Sequence, residues 1–315
     1  MAQFTWTLDV ETGVLKNHAL SAKLYEVAVE NSVFMDHVTP VGGYGRGKGE
    51  TVTWTRIKAI AEPTDPELVE TERIPEDTYA ISTGSATVKE IGRAVPITSF
   101  ARDLLHFDLM NSVQRQLMRQ MTLSLDTLAA AAFKRTYIKY TPTGATSRSI
   151  ATTGTAATSA TANLNGWHFE EIQDYMYDTL LVPPMSDGSY VGIFRTLALR
   201  GLMRDSDWEE WHKYTDPSGK FNAEAGKYEG IRCIKTNHNA ALGKIGTSSV
   251  CGEGVVFGED AVGLAEAVTP ELRVDAFAED LGRSRTGGWY GILRMEPFFN
   301  TGSAGEDKIL HVAST

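Results

Sequence analysis

Hydrophobic and polar positions alternate with period two over Glu50–Ala61, where Val52, Trp54 and Arg56 fall on one face and Thr51, Thr53 and Thr55 on the other. That pattern, rich in β-branched residues, predicts a half-buried strand. A return strand is predicted over Tyr79–Ile97, with Gly84 and Gly92 as bends or bulges. At Asp108 the period changes. Met110, Val113, Leu117, Met121, Ser124 and Leu128 recur at steps of three and four, which predicts one amphipathic helix from Asp108 to Lys139, stopped by Pro142. Thirty-two helical residues span roughly 48 Å. A compact globule of this length has a diameter of only about 50 Å. The helix alone would cross it, and the strand pair beside it has little core of its own. The pattern predicts a subunit that leans on other chains.

The remaining segments fill in around these two. Ala19–Phe34 is a helical candidate, and Thr141–Gly166 reads as a surface connector because 20 of its 26 residues are Thr, Ser, Ala or Gly. From Trp167 the pattern becomes α/β-like. Helices are expected at Phe169–Leu181, Leu197–Trp211 and Asp260–Ala267, and strands at Tyr190–Phe194, Ile231–Thr236 and Val255–Phe257. Strand-like sequence returns at Glu271–Ala278 and Trp289–Phe299.

Between the two strands of the arm lies Glu62–Thr78, which holds seven carboxylates against the single basic residue Arg73, with prolines at 63, 66 and 75. A solvated loop and a docking tip both fit that composition. The chain as a whole carries a net charge of −10 with a pI near 5.3, which argues against a body built to grip nucleic-acid phosphates. Two cysteines, Cys233 and Cys251, make no disulfide framework. Neither a secretion signal nor a membrane-spanning run is expected.

Catalytic chemistry is sparse. Gly42-x-x-x-x-Gly47-Lys48 follows a phosphate-binding loop until Gly49 stands where a magnesium-holding hydroxyl belongs. The segment after it reads as a strand, whereas a phosphate loop needs a helix N-terminus there. The five glycines of Gly42–Gly49 read as a hinge. The seven histidines form no metal-ligand spacing, and Asp205, Asp207, Glu209 and Glu210 read as an exposed helical turn before they read as a metal cluster. Trp208 and Trp211 read as packing. No enzyme, cofactor or metal is expected.

The order of parts resembles the major capsid proteins of tailed bacteriophages, whose fold is shared with encapsulins and the herpesvirus capsid floor. Gly47–Trp54 looks like the outgoing strand of that family's extended loop, and Val95–Asp103 like its return into the spine. Leu123–Leu128 resembles the distal half of the spine helix, and Gly226–Ile234 a strand of the axial domain. The resemblance implies an α+β fold with an N-terminal arm (1–41), an extended β-hairpin loop (42–98), a peripheral domain with the spine helix (99–166 and 271–315) and an axial α/β domain (167–270). It implies a non-enzymatic protein of the virion, assembled in the host cytoplasm from hexamers and pentamers around double-stranded DNA held without sequence preference. A separate scaffolding protein and a portal protein are implied partners, a decoration protein is compatible, and no membrane is involved. An encapsulin-type compartment and a soluble α/β enzyme are the alternatives. Contacts between subunits are expected at Arg46, Lys48, Trp54, Arg56, Glu67, Glu70 and Glu72. Packing of the spine helix is expected at Val113, Leu117, Met121 and Leu128.

Overall fold

A computed structural model describes residues 32–57, 60, 62–63, 66–68, 70, 73–79, 81–98, 109–154, 160–206, 224–246, 249–274, 284–302 and 306–315. The helical candidate Ala19–Phe34 lies almost entirely outside them, and only Phe34 belongs to a described element, the 3-10 turn Phe34–His37. The strands are β1 (Thr39–Pro40), β2 (Thr51–Ile57), β3 (Ile81–Thr87), β4 (Lys89–Thr98), β5 (Lys139–Gly144), β6 (Ser147–Ala151), β7 (Tyr190–Arg195), β8 (Glu224–Tyr228), β9 (Ile231–Thr236), β10 (Lys244–Ile245), β11 (Cys251–Phe257), β12 (Val262–Val274), β13 (Ser284–Pro297) and β14 (Ile309–Ser314). The helices are α1 (Leu109–Phe133) and α2 (Gly166–Asp174), the second continued by a π-helical turn at Tyr175–Thr179. This is an α+β protein.

The chain divides into two compact units. The first contains residues 91–98, 109–122, 270–274 and 284–291 of the described chain. Here the outer half of α1 lays Leu117, 3% exposed, toward the backbone of Gly287 on β13. Trp289 donates from its indole Nε1 to Gln120 Oε1 at 3.3 Å, which ties the same helix to the same strand. Gly92 on β4 is required by close approach, because a Cβ there would sit 2.6 Å from the Trp289 carbonyl oxygen.

The second unit holds the main core. Its eight-stranded sheet runs β6-β5-β14-β11-β7-β9-β8, with β10 paired to β11. β11 is buried along its whole length, and β7 and β14 flank it antiparallel. Helix α2 seals one face. Asn165 caps its N-terminus by accepting from the His168 amide, and His168, Phe169, Ile172 and Met176 point into the core beside Tyr140, Phe194 and Leu310. A second sheet has the order β1-β12-β13-β4, and β2 pairs with β3 in a separate two-stranded ribbon.

Several expectations are corrected. Asp260–Ala267 is no helix: β12 begins at Val262, because its pairing to β1 and β13 overrides the helix-favouring Leu-Ala-Glu-Ala run. Thr141–Gly166 is no plain connector, since β5 and β6 make a hairpin there on the edge of the eight-stranded sheet. Those strands and β14, assigned by sequence to the peripheral domain, belong to the same sheet as β7, β9 and β11. The return strand is two strands parted at Val88, one in the ribbon and one in the four-stranded sheet. Over Leu197–Asp205 the expected helix is instead turns and a 3-10 helix at Leu202–Arg204; Ser206 is helical, and residues 207–211 of that expectation lie outside the described residues. Helix α1 ends at Phe133, six residues before the predicted end, and the chain is already in β5 at Lys139.

Candidate functional site: the extended hairpin and its root

The two-residue alternation of Thr51–Ile57 builds the ribbon directly. Val52, Trp54 and Arg56 are half-buried and the threonines exposed, and β3 pairs in register from Thr51 opposite Thr87 to Ile57 opposite Ile81. The root is fastened by the inward face. Val52 and Trp54 pack with Ala86, Val88, Ala265 and Ile292. The Trp54 indole donates to the Phe298 carbonyl at 3.1 Å, and its ring meets the Phe298 ring edge-on at 5.5 Å between centroids. Arg56 lies over the Phe299 ring at 5.5 Å, with Lys308 at 5.7 Å from the same ring. Gly84 makes this possible. A Cβ there would fall 2.3 Å from Trp54 Nε1 and 2.8 Å from Arg56 Nε. Trp54 and Arg56, expected to meet a neighbouring subunit, are therefore engaged inside their own chain; their half-buried face is the one the ribbon turns toward Phe298 and Phe299.

The distal end has the opposite character. Ile57, Ile60, Leu68, Ile74, Tyr79 and Ile81 are 53–66% exposed. Carboxylates are interspersed with them along the chain at Glu62, Glu67, Glu70, Glu76 and Asp77, all exposed, and Arg73 pairs with Glu76. Glu72 lies outside the described residues. All six apolar residues fall within one stretch of the chain, Ile57–Ile81.

Arg46 and Lys48 sit at the other end of the ribbon, exposed, in the Gly42–Gly49 loop. Gly43, Gly47 and Gly49 take φ values of +78°, +79° and +89°, where a side chain would be strained. Lys48 Nζ donates to the Gly43 carbonyl, and the Tyr44 hydroxyl donates to the Gly49 carbonyl at 2.8 Å. The loop thus closes on itself with its own lysine, and β2 follows where a phosphate-binding helix would begin.

Along α1, Leu117 is buried, Val113 and Met121 are half-buried, and Leu128 is 37% exposed. The enclosed positions toward the helix C-terminus are Leu125, Asp126, Ala129, Ala130, Ala132 and Phe133. Leu128 lies off the packed face, which runs through Leu125, Ala129, Ala132 and Phe133 at steps of three and four.

Two buried polar clusters escaped the sequence reading. Asp126, with no exposed surface, accepts from Ser32, Val33 and Phe34 through Oδ1 and from His238 Nδ1 through Oδ2 at 2.8 Å. Glu253 on β11 accepts from Lys134 Nζ at 3.3 Å and the Gly243 amide at 2.8 Å, and faces His311 Nε2 at 3.4 Å. Burial alone would raise its carboxyl, but the His311 hydrogen bond, Lys134 and the Gly243 amide outweigh it and bring the pKa down to about 2. Beside it, burial lowers Lys139 to about 8, and its amine donates to the Lys134 carbonyl at 2.8 Å. A charged residue inside a run of apolar helix or strand positions was the available signal for Asp126 and Glu253. Both clusters are closed to a substrate by the packing around them. Asp205 accepts from the Gly166 amide at 2.9 Å. Asp207 to Trp211 lie outside the described residues. Among the described residues no group of three or more His, Cys, Asp or Glu is arranged to hold a metal. Nor is any helix there long and apolar enough to cross a membrane. Cys233 and Cys251 are buried free thiols, and burial pushes Cys233 well above the usual range.

No family model and no curated protein sequence matches the chain. Solved structures do. The capsid of Helicobacter pylori bacteriophage KHP30 aligns with a TM-score of 0.71 at 12% identity, over 100% of this chain and 99% of that one. The capsid of cyanophage Pam1 aligns at 0.68 and 15% identity over 100% and 99%. That of cyanophage P-SCSP1u aligns at 0.67 and 13% over 96% and 93%. The chain has the fold of these phage capsid subunits over its whole length.

Proposed function

We propose that many copies of this chain close into an icosahedral shell, as the major capsid protein of a tailed phage. The observation that carries the reading is the full-length match of fold to phage capsid subunits at TM-scores of 0.67–0.71. The hairpin supports it independently: its root is locked by Trp54 while its distal end presents apolar residues that its own chain leaves uncovered. In a closed lattice many such contacts act together, so each can be weak. Glu67 and Glu70 at that end then meet basic groups of a neighbouring copy. The shell encloses double-stranded DNA without reading its sequence, and a negative net charge of −10 keeps the lining from gripping the packaged phosphates. Scaffolding and portal proteins complete the assembly.

Negative-stain imaging and mass photometry of the expressed chain, alone and with a co-expressed scaffolding protein, test the proposal. Closed particles in the megadalton range are expected. A discrete monomer or small oligomer under every such condition refutes it and favours a soluble enzyme.

A further inference from the structure

We infer that Asp126 is a clasp that fixes where the N-terminal segment joins the subunit, and that shell assembly depends on its being closed. The second half rests on the shell reading above. Asp126 Oδ1 accepts from two successive backbone amides, Val33 at 2.9 Å and Phe34 at 2.7 Å, and from the Ser32 hydroxyl at 3.0 Å. These partners are separated from it by 92 to 94 residues. Its other oxygen takes His238, which stands just past β9. One carboxylate therefore joins the arm, helix α1 and the sheet.

Apolar packing secures the same point. Phe34 is fully buried, its ring 5.6 Å from Phe133, two turns along α1 from Asp126. Phe133 packs at a tilt on Phe257 of β11, 4.5 Å between ring centroids, and His37 meets the same ring edge-on at 5.4 Å. Past the clasp, Thr39 and Pro40 pair with β12 and the Val41 amide donates to Leu264 at 2.9 Å, so the chain is led directly to the Gly42 loop and the hairpin root.

A carboxylate clasp differs from a greasy one in being all-or-none. Lifting Ser32–Phe34 partway strips three donors from one buried oxygen and parts two amides from their acceptor before water can replace it. Intermediate positions are the worst of all, so the segment is either seated or released. Seated, it sets the start of the hairpin; released, it leaves the hairpin root with no fixed approach.

The experiment compares full-length wild type, Asp126→Asn, Asp126→Leu and, as a control, Val256→Ala in the core of the eight-stranded sheet. Hydrogen exchange is followed at residues 32–38, and particle yield by mass photometry. In Asp126→Leu, exchange at Val33 and Phe34 should rise roughly 100-fold and closed particles should fall below about a tenth of wild type. Asp126→Asn retains an acceptor oxygen and should speed exchange by about tenfold, with a partial loss of particles. Val256→Ala should loosen β7, β11 and β14 while Val33 and Phe34 stay protected and particles still close. Unchanged exchange at Val33 and Phe34 in both Asp126 variants overturns the clasp. Wild-type particle yield with the segment released overturns its role in assembly. If Asp126→Leu fails to fold, Asp126→Asn carries both readouts. A wild type that forms no particles refutes the shell reading, and the exchange result still decides the clasp.

Discussion

Adding one methyl group at Gly84 should destabilise the protein, against the usual direction for such a change. Gly→Ala at a strand position with ordinary backbone angles normally gains about 0.4–1 kcal/mol, because the unfolded chain loses freedom. Here the new Cβ would fall 2.3 Å from Trp54 Nε1 and 2.6 Å from Cε2, well inside contact. Arg56 can swing aside, but the Trp54 indole is held by the Phe298 carbonyl and ring. Overpacking costs about 1–3 kcal/mol. Displacing the indole forfeits a hydrogen bond worth about 1 kcal/mol and an aromatic edge contact of similar size. Set against the entropic gain, Gly84→Ala should lose about 2–4 kcal/mol. Denaturant unfolding of the subunit, followed by far-ultraviolet circular dichroism, measures it. The decisive arm is a double-mutant cycle. In a Trp54→Leu background the clash is gone, so Gly84→Ala should be neutral or stabilising. A midpoint for Gly84→Ala at or above wild type would refute the reasoning. So would an equal loss in both backgrounds, which would place the strain in the backbone of β3 and not against Trp54.

Acid should act through Glu253. Its folded value of about 2 lies below the ordinary 4.5, so the stabilisation is complete above pH 4.5 and is lost as pH falls toward 2. The shift corresponds to about 3 kcal/mol; Glu253→Gln should be less stable by about that much at pH 7 and converge on wild type near pH 2, and parallel curves would contradict this. Leu117→Ala, at a site 3% exposed against β13, should cost about 2–5 kcal/mol, read as a lower melting temperature; an unchanged melt would mean the site collapses freely. Deleting Pro63–Pro75 should leave a folded subunit, by circular dichroism, that yields no closed particles. Normal particles from that deletion would remove the hairpin tip from the assembly contacts.

The sequence exposed what periodicity can carry. The alternation at Val52, Trp54 and Arg56 became the inward face of β2, and Ile231–Thr236 became β9 with the same ends. The steps of four from Val113 through Leu117 to Met121 became the first half of α1. Partner-dependent features stayed hidden. Residues 262–267 carry helix-favouring types and are strand because β1 and β13 lie beside them. β6 is small and polar because it is an exposed edge, which made it look like linker. At the hairpin, Trp54 was legible as half-buried but not as anchored to Phe298, some 244 residues away. Asp126 stands out in sequence only as a charge inside an apolar helical run; its partners Ser32–Phe34, 92 to 94 residues away, could not be read from it.

The position of β14 has a consequence for timing. It lies between β5 and β11, pairing parallel with one and antiparallel with the other, although His311 and Lys139 are 172 positions apart in the chain. Contacts at such separation close late, since the loop entropy must be overcome before they form. Without Ile309–Ser314 no strand joins β5 and β6 to β11, and the core that α2 seals stays incomplete. A chain without β14 is thereby denied its main sheet, so the six residues Ile309–Ser314 decide whether two separate hydrogen-bonded pieces become one core.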